Sequence, residues 1–580
     1  MTPASGLAEL ANYEFVWQRW YALARAQPDK DAIVHWVYGE PPYRWSFGHL
    51  LSTAERIAAR LRDEGVRADD VCAILLRHHR LFYPMYLGVC LLGAIPSVLA
   101  YPNNRLHPEK FRSSLEGMAR KSGLAWVVME RELEDAIRPL ALVTGTTVRG
   151  FAFPFEWEVD GASDTCDETF PAQFHRERIA DSGFLLQHSS GTTGLQKGVA
   201  LSHRDMLEHI ARYGEALHLR ATDKVASWLP LYHDMGLVAA FHLPLMAGLT
   251  SVQMSPFEWV MSPVLWAEVV SSERATLSWL PNFAYNHMAD RIHEDDLADV
   301  SLATLRMVIN CSEPVRADSH EKFLARFRPC GLKPEAIAAA YAIAEATFAL
   351  TQTEPGTEAR RVVVDRTALS QGFVRLATGQ DGNATRTCVS SGVPVSGCDL
   401  RILGDDGSDL PDDRVGEIAL RSVSLFKGYV NNPEKTAEVL RNGWYHSGDL
   451  GFRHEHEYYV IGRKNDVIIV AGKNIYPEDI EDAVSQVAGI LPGRVVAFGE
   501  NDNESGTEQI YVIAETPHTE PADHVRLRRA VVEVGMSINL TVSEVVLVEP
   551  RWLIKSSAGK PSRRANKDRS LARLAERRSP

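Results

Sequence analysis

The segment from Gln187 to Gly198 combines residue types suited to surrounding a phosphate. Its sequence, QHSSGTTGLQKG, contains two serines, two threonines, three glycines and Lys197, and it follows an apolar run from Phe184 to Leu186. Hydroxyl groups donate hydrogen bonds to phosphate oxygens, glycines let the backbone approach closely, and the ammonium adds a positive charge. A nucleotide phosphate is therefore the expected ligand, although a polar surface turn is the alternative for this segment taken alone.

The spacing of this segment differs from that of P-loop NTPases. The Walker pattern requires Gly, four residues, then Gly-Lys followed by Ser or Thr. Here Lys197 precedes Gly198, and no hydroxyl residue follows the lysine directly. A kinase or NTPase of the P-loop type is therefore disfavoured.

Length and composition indicate a globular protein of more than one domain. The 580 residues are 45% hydrophobic and 24% charged, with a formal net charge of −13. A chain of this length exceeds the size at which one core keeps growing, so two or more domains are expected. The negative charge disfavours nucleic acid or an anionic membrane surface as the main partner.

The cysteines and the apolar segments favour a cytoplasmic protein without an integral membrane segment. Seven scattered cysteines form no CxxC pair, which suits a reducing compartment and argues against structural zinc. Residues Met1 to Glu14 lack the basic and apolar regions of a secretory signal. The uncharged stretch Phe82 to Pro102 is interrupted by two glycines and two prolines before its end. This pattern predicts a short buried helix followed by a strand, Ile95 to Tyr101, instead of a membrane span.

The first four hundred residues alternate helix-like and strand-like segments. A helix is predicted over Ser52 to Glu64, a strand over Val71 to Leu76 and a second helix over Leu81 to Leu92. The first of these has apolar residues at helical spacing and Gly65 as a stop signal. Such alternation predicts parallel sheets covered by helices, which is an α/β architecture.

Two later regions depart from this alternation. Strand-like runs over Leu400 to Leu403 and Glu417 to Arg421 are flanked by Gly, Pro and Asp turns, which predicts antiparallel hairpins in a small β-subdomain. The acidic residues of these turns are expected to be solvated and not to bind a metal. After Gly462 the predicted elements are a strand over Asp466 to Val470, a helix over Pro477 to Val487, and strands over Val495 to Phe498 and Ile510 to Ala514.

These last elements predict a compact α+β module of the size of an independent domain. We place the boundary at a hinge within the segment Arg463 to Asp466. The expected division is an N-terminal domain, residues 1–464, with the nucleotide and acid sites, and a mobile C-terminal domain, residues 465–580.

Further motifs accompany the phosphate-binding segment along the chain. They are WLPLYHDMG (228–236), LPNFAY (280–285), AYAIAEAT (340–347), YHSGDLG (445–451), IGRKND (461–466) with GKNIYPEDIE (472–481), and SSAGK (556–560). In order, spacing and content, these motifs resemble the adenylate-forming superfamily of acyl-activating enzymes over nearly the whole chain. The resemblance implies that a carboxylic acid attacks the α-phosphate of ATP to give an acyl-adenylate, with Mg²⁺ and release of pyrophosphate.

The same resemblance assigns roles to individual residues. Tyr341 is expected to stack on adenine, Glu345 to hold Mg²⁺, Asp449 to bind the ribose hydroxyls and Arg463 to contact the nucleotide. Residues expected to surround the phosphates are Ser189, Ser190, Gly191, Thr192, Thr193, Gly194 and Lys197, with Thr193 as the principal hydroxyl. Ala346 and Thr347 complete the nucleotide motif, His233 gates the acid side, and Lys560 bridges the substrate carboxylate and the α-phosphate. Glu313 could lie near adenine or could simply begin a helix.

Three features resemble the fatty acyl-AMP ligase branch more than the acyl-CoA synthetases. Two are the motifs at 281–285 and 341–347, and the segment 474–481 also resembles that branch. The strongest is an extra segment from Val364 to Val374, which looks like the insertion that packs between the two domains of those ligases and hinders rotation to a CoA-using state. A decorative surface loop is the alternative for this segment. The expected acceptor is therefore a carrier protein or a thioesterifying partner enzyme, and no free CoA is required.

Some positions depart from the family pattern. Gln196 stands where proline is common, Ala342 where glycine usually follows the tyrosine, and Asn465 where the hinge normally carries Asp or Lys. Trp279 is bulky for a position beside a long acyl tunnel and suggests a short or reshaped pocket for a bulky natural-product acid. The alternatives to an acyl-AMP ligase are a complete acyl-CoA ligase and, from another class, a catalytically silent acyl- or nucleotide-binding subunit.

Overall fold

The computed structural model describes residues 7–102, 108–142, 144–159, 166–188, 197–377, 385–470, 473–502, 507–555 and 561–578. Eight residues of the phosphate-binding segment, 189–196, and the motif 556–560 lie outside this described part. Within it, no helix combines the length and apolarity needed to cross a membrane.

The larger part of the chain, up to residue 352, alternates strands and helices as the sequence predicts. Its strands are β1 (Asp31–His35), β2 (Tyr43–Ser46), β3 (Val71–Leu75), β4 (Ile95–Val98), β5 (Leu124–Met129), β6 (Gly150–Ala152), β7 (Gly183–His188), β8 (Gly198–Ser202), β9 (Lys224–Ser227), β10 (Thr250–Gln253), β11 (Leu277–Leu280), β12 (Met307–Asn310), β13 (Ile337–Ala342) and β14 (Ala349–Gln352). Its helices are α1 (Val16–Ala26), α2 (Phe47–Glu64), α3 (Phe82–Leu91), α4 (Pro108–Lys121), α5 (Glu134–Ala141), α6 (Thr169–Ala172), α7 (His203–Ala216), α8 (Leu243–Met246), α9 (Pro256–Met261), α10 (Val264–Glu273), α11 (Asn282–Arg291) and α12 (Ala317–Phe327).

The remainder of the chain carries fewer helices and mostly antiparallel strands. These strands are β15 (Arg361–Asp365), β16 (Thr385–Val389), β17 (Val393–Pro394), β18 (Cys398–Leu403), β19 (Gly416–Ser422), β20 (Leu440–Arg441), β21 (Trp444–His454), β22 (Glu457–Arg463), β23 (Ile468–Val470), β24 (Lys473–Ile475), β25 (Val495–Asp502), β26 (Thr507–Glu515) and β27 (Val542–Val548). The helices are α13 (Arg366–Ser370), α14 (Pro433–Val439), α15 (Pro477–Ser485), α16 (Pro521–Ser537) and α17 (Arg563–Arg578).

Two sheets with parallel strands form the body of the large region. One has nine strands in the order β17-β14-β13-β12-β11-β9-β10-β1-β2, in which the pairings from β13 to β1 are parallel. The other has four parallel strands in the order β4-β3-β5-β6. A continuous hydrophobic core with buried residues from Leu10 to Tyr458 packs helices against these sheets. The predicted α/β architecture is thus confirmed.

The predicted helices and strands occur in the structure, and their observed ends differ from the predicted ones by a few residues. Helix α2 begins five residues before the predicted Ser52, because the Ser46 hydroxyl accepts a hydrogen bond from the His49 N–H and caps the helix there. The helix ends at Gly65, whose φ of 116° lies in the left-handed region that favours glycine. The uncharged stretch after Phe82 forms α3 and the short strand β4, as expected.

The predicted hairpins and the C-terminal α+β module are also present. Strand β18 pairs with β19, which pairs with β21, and all of these contacts are antiparallel. Strands β25, β26 and β27 form a separate sheet that packs with α15 and α16 around a second core, which includes Ile480, Val512 and Leu527. The division at residues 464 and 465 stays a prediction.

Several buried histidines make a pH dependence of stability expected. Burial lowers the pKa of each from 6.5, to about 4 for His188 and to about 3 for His209 and His320. Below pH 6.5 the unfolded chain therefore binds protons that the native protein excludes, so stability falls as the pH falls, by up to about 1.4 kcal/mol per histidine and pH unit. The apparent melting temperature should decrease steadily from pH 7.5 to pH 5.5, a window above the usual carboxylate range. A flat or rising profile, measured by differential scanning fluorimetry, would contradict this assignment.

Candidate active site

The site motifs follow the carboxyl ends of neighbouring parallel strands. Strands β9, β11, β12 and β13 are adjacent in the nine-stranded sheet, and each is followed directly by a motif or by the Glu313 segment. The carboxyl ends of parallel strands meet at one sheet edge, which is where open α/β sheets bind ligands. Motifs separated by more than a hundred residues in sequence are thereby brought together.

The two ends of the phosphate-binding segment are held by an antiparallel pair of strands. Strand β7 ends at His188 and β8 begins at Gly198, and these two residues are directly paired. Between them, the predicted contacts Ser189, Ser190, Gly191, Thr192, Thr193 and Gly194 lie outside the described residues. Lys197, at the start of the return strand, is described, and burial is the main cause that lowers its pKa.

His188 fixes the position from which this segment departs. Its Nδ1 lies 3.0 Å from the Ser97 hydroxyl on β4, and its Nε2 lies 3.1 Å from the Ser122 hydroxyl after α4. The ring is almost fully buried, and burial lowers its pKa to about 4, so it is neutral at physiological pH. One ring nitrogen then donates and the other accepts. This residue ties the phosphate-binding segment to the four-stranded sheet.

Tyr341, Asp449 and Arg463 form a compact cluster from three separate motifs. The Tyr341 hydroxyl, at the end of β13, donates to Asp449 Oδ2 at 2.6 Å. The Arg463 Nε lies 3.0 Å from Asp449 Oδ1, since the two residues face each other across the β21–β22 pair. Burial and the neighbouring carboxylate raise the pKa of Tyr341, and the same carboxylate raises that of Arg463. Asp449 therefore presents a buried carboxylate beside an aromatic ring, a suitable arrangement for a nucleoside.

Glu345 lies in a short turn immediately after β13. Its side chain is 9% exposed, and its Oε1 accepts a hydrogen bond from the Tyr429 hydroxyl at 2.6 Å. Ala346 and Thr347 follow, both fully buried. Thr347 has φ 70° and ψ −52°, a strained conformation for a β-branched residue, and its hydroxyl donates to the Ser424 carbonyl at 2.9 Å. The Thr347 hydroxyl thus links the turn that carries Glu345 to Ser424.

His233 lies beside a carboxylate, and its neighbour Tyr232 is hydrogen-bonded to the strand that precedes the phosphate-binding segment. Its Nδ1 lies 2.5 Å from Asp234 Oδ1. The preceding residue, Tyr232, accepts through its carbonyl a hydrogen bond from Gln187 Nε2 at 3.0 Å. The motif also requires Gly236, because a Cβ there would lie 2.3 Å from the Pro230 carbonyl oxygen. The gating role of His233 stays a prediction.

Glu313 and Trp279 have defined partners in the structure. Glu313 Oε2 accepts a hydrogen bond from the Phe283 N–H at 2.9 Å, which links two of the motif segments at the sheet edge. Trp279 is fully buried in the core, where its Nε1–H donates to the Tyr213 hydroxyl at 2.9 Å. Neither contact tests the predicted adenine position of Glu313 or the predicted effect of Trp279 on the acid pocket.

Lys560 lies outside the described residues, but the residues on either side of its motif are described. Lys555 and Pro561 pair with each other across the motif. Burial lowers the pKa of Lys555 to about 8, and Glu313 of the large domain is near enough to oppose that shift. Arg563, which follows the motif, contacts Asp466 at 2.5 Å and Glu481 at 2.8 Å. The flanks of the lysine motif thus lie near both the hinge and the sheet-edge motifs.

Two of the cavities among the described residues differ in their relation to this site. One of about 610 Å³ is lined by residues that include Arg77, His79 and Trp157, and no predicted site residue borders it. One of about 430 Å³ is lined by residues 427–440, including Tyr429. The larger cavity is therefore not the nucleotide site, whereas the smaller one adjoins it.

Sequence reasoning missed two residues of the site. His188 was part of the phosphate-binding segment but lacked a role, and Tyr429 was not noticed. The doublet Gly428-Tyr429 carries no charge or metal-ligand spacing, and 84 residues separate Tyr429 from Glu345. Only the folded chain brings them into contact, so no local signal could have identified this tyrosine.

Comparison with known proteins agrees with this geometry. A model of the AMP-binding enzyme family matches residues 20–430. A probable long-chain-fatty-acid–AMP ligase, FadD30 of Mycobacterium tuberculosis, is 30% identical, with 93% of this chain and 95% of the relative covered. A 4-hydroxyphenylalkanoate adenylyltransferase of the same species is 29% identical, covering 87% and 82%. The crystal structure of a fatty acyl-adenylate ligase from L. pneumophila, in complex with acyl adenylate and pyrophosphate, is 26% identical with a TM-score of 0.71 and 96% coverage of both chains. The chain therefore belongs to the AMP-binding enzyme family, within the adenylate-forming superfamily, and is an acid–AMP ligase that uses ATP to form an acyl-adenylate.

Proposed function

We propose that this protein activates a fatty or bulky natural-product acid and passes the acyl group to a carrier protein or a thioesterifying partner enzyme, without using free CoA. The observation that carries the proposal is a cluster of charged side chains that joins helix α15 of the predicted C-terminal domain to the predicted insertion. In that cluster, the Asp479 carboxylate of α15 lies 3.1 Å from Arg366 and 3.2 Å from Arg386.

The predicted insertion, Val364 to Val374, is folded against both parts of the chain. It contains the end of β15 and the helix α13, and β15 pairs along its length with β16. Val364 and Leu369 are buried in one apolar cluster with Ile461 of the β-subdomain and Tyr476 at the start of α15. A decorative surface loop would not bury its apolar residues between two regions in this way.

The ion cluster strengthens this apolar contact. Arg386 and Asp479 each have 8% exposed side chains, and Arg386 also donates to the Ile461 carbonyl at 3.1 Å. Asp482, one turn further along α15, pairs with Arg316. Separating a buried pair leaves uncompensated charge and typically costs several kcal/mol. Rotation of the C-terminal domain, which a CoA-using state requires in the resembling enzymes, would have to break this cluster.

The adenylation step follows from the grouping of charges. An oxygen of the acid attacks the α-phosphorus, the bond to the β-phosphate oxygen breaks, and acyl-AMP and pyrophosphate result. Asp449 would hold the ribose, Tyr341 the adenine, and Lys197 with residues 189–194 the leaving phosphates. Lys560 would neutralise charge that develops at the α-phosphate, which is the largest expected contribution to rate. His233 would border the acid.

The residues present suit Mg²⁺ bound together with the triphosphate. Glu345 is a buried carboxylate that forms no ion pair within 4.0 Å among the described residues, and it keeps oxygen lone pairs free besides those that meet the Tyr429 and Tyr445 hydroxyls. No group of three or more potential metal ligands occurs in the described part of the chain. Magnesium at nucleotide sites is typically held by one or two carboxylates plus phosphates and water. When bound, the ion would supply Lewis-acid stabilisation of phosphate charge.

A product assay tests the proposal. Purified protein is incubated with ATP, Mg²⁺ and a panel of linear, aromatic and polycyclic acids, with and without CoA and with a phosphopantetheinylated carrier protein. Acid-dependent pyrophosphate exchange and acyl-AMP are expected, with transfer to the carrier and no acyl-CoA. Formation of acyl-CoA by this chain alone would reject the proposed acceptor, and the absence of exchange with every acid would reject the activity.

Replacing Asp479 by asparagine should release the C-terminal domain. The substitution removes the charge shared by Arg366 and Arg386, and we expect a loss of about 3 kcal/mol of docking free energy, since the buried Arg386 and the partly buried Arg366 lose their partner. Limited proteolysis should then cleave near residues 463–466 faster than in the wild type. Glu533→Gln is the matched control, because its pair with Arg529 is exposed on both sides. Equal cleavage rates for wild type and Asp479→Asn would show that the cluster does not restrain the domain.

A further inference from the structure

Tyr429 lies between the phosphate-binding segment and Glu345. Its backbone pairs with Val199 on the return strand β8, and the next N–H, of Val430, donates to the Gly198 carbonyl at 2.9 Å. The side chain is 5% exposed, so its position is set by packing on all sides. This backbone pairing places Tyr429 beside the strand that follows Lys197 directly.

The side chain of Tyr429 contacts both charged groups that would meet the triphosphate. Its hydroxyl donates to Glu345 Oε1 at 2.6 Å, and the Lys197 ammonium lies 5.0 Å from the centre of its ring. The Tyr445 hydroxyl is a further neighbour, 3.3 Å from that of Tyr429. One face of the tyrosine therefore holds the cation and its polar end holds the anion, which keeps the two charges apart.

The separation matters because Lys197 and Glu345 are near enough to interact electrostatically. A direct ion pair between them would occupy both groups and weaken their interaction with phosphate and metal. A cation above an aromatic ring is held more loosely than one paired with a carboxylate, so a phosphate oxygen can displace the ring. A hydrogen bond from the Tyr429 hydroxyl fixes the rotation of the Glu345 carboxyl group.

We propose that Tyr429 is a positioning residue that holds Glu345 in the orientation for the metal and keeps Lys197 available for the leaving phosphates. The proposal rests on the proposed function of the site. It assigns no chemistry to the tyrosine itself, which acts through the two charged side chains. A tyrosine with a merely structural role would contribute only its packing against Phe426, whose ring centre lies 4.9 Å from that of Tyr429.

Tyr429→Phe separates positioning from packing, because it keeps the ring and removes only the hydroxyl. Binding of the non-cleavable nucleotide α,β-methylene-ATP is measured by calorimetry over a range of Mg²⁺ concentrations. We expect the Mg²⁺ concentration at half-saturation to rise about tenfold, as is typical when a partner that orients a metal ligand is lost. In kinetics, KM for MgATP should rise while KM for the acid is unchanged. Tyr429→Leu, which also removes the ring from Lys197, should further weaken pyrophosphate binding.

Tyr458→Phe is the matched control. Tyr458 is equally buried, and its hydroxyl donates to the Leu400 carbonyl at 2.8 Å, in the same β-subdomain but outside the site. This control should leave the Mg²⁺ dependence of nucleotide binding unchanged. Any general loss of stability through a missing buried hydroxyl would appear in both variants as a lower melting temperature.

A double-mutant cycle decides whether the effect passes through Glu345. If it does, Tyr429→Phe combined with Glu345→Gln should bind nucleotide no more weakly than Glu345→Gln alone. Fully additive losses, or an unchanged Mg²⁺ dependence in Tyr429→Phe, would overturn the proposal. Absence of acid-dependent pyrophosphate exchange in the wild type would instead reject the proposed function, since the calorimetric measurement needs no acid.

Discussion

Replacing Lys560 by alanine is expected to slow acyl-AMP formation by a factor of roughly 10² to 10³, while nucleotide binding is retained. A cationic group aimed at charge that develops in the transition state contributes to rate far more than to ground-state affinity. The measurement is single-turnover formation of acyl-AMP from a saturating acid and ATP. In parallel, calorimetry with α,β-methylene-ATP should give a dissociation constant within a few-fold of the wild-type value.

The control for this substitution is Lys567→Ala on the neighbouring helix α17. Lys567 donates to the Gly499 carbonyl at 2.6 Å, within the C-terminal domain and outside the site. The Lys567→Ala substitution removes the same charge from the same predicted domain, so a loss of net charge alone would affect both variants equally. Single-turnover rates that are equal for Lys560→Ala and the wild type would remove the lysine from the mechanism.

Replacing Asp449 by alanine should raise the dissociation constant for ATP by roughly 100-fold. The carboxylate accepts from Tyr341 and pairs with Arg463, and ribose hydroxyls would donate to its remaining lone pairs. Hydrogen bonds to a charged group contribute about 1.5–3 kcal/mol each, so the loss of two ribose contacts accounts for at least this factor. The affinity for the acid, measured at saturating ATP, should change much less.

Asp449→Asn refines the same experiment. The amide keeps the shape but not the charge, so it should fall between the wild type and alanine for ATP affinity. Asp399→Asn, an exposed position on β18 of the same sheet, is the control and should bind ATP as the wild type does. If Asp449→Ala binds ATP normally, the cluster with Tyr341 and Arg463 is structural and the nucleotide lies elsewhere.

The contacts of the predicted C-terminal domain have a consequence for the proposed reaction. In the described structure, Lys555, which precedes the lysine motif, lies near Glu313. The contacts of Asp479 join α15 to the predicted insertion, and Arg563, which follows the motif, pairs with Asp466 in the predicted hinge. An enzyme that remains in this state would complete the first half-reaction and depend on another protein for the second.

Local signals in the sequence determined the fold class and most of the elements. The helix stop at Gly65, the apolar spacing before it and the turn residues between β18 and β19 depend on interactions within a few residues, so they can be recognised without the tertiary structure. The order of motifs likewise indicated a nucleotide and an acid. The ends of elements were less accurate, because caps such as Ser46 act just outside the apolar pattern.

Only the tertiary structure decided which side chains act on one another. Tyr429 meets Glu345, His188 lies between Ser97 and Ser122, and three arginines converge on Asp479, although each partner is distant in sequence. Such contacts arise where the carboxyl ends of parallel strands converge and where the C-terminal domain packs against the insertion. The sequence could specify the chemistry of each group, but partner, burial and distance depend on packing between elements, which no local pattern encodes.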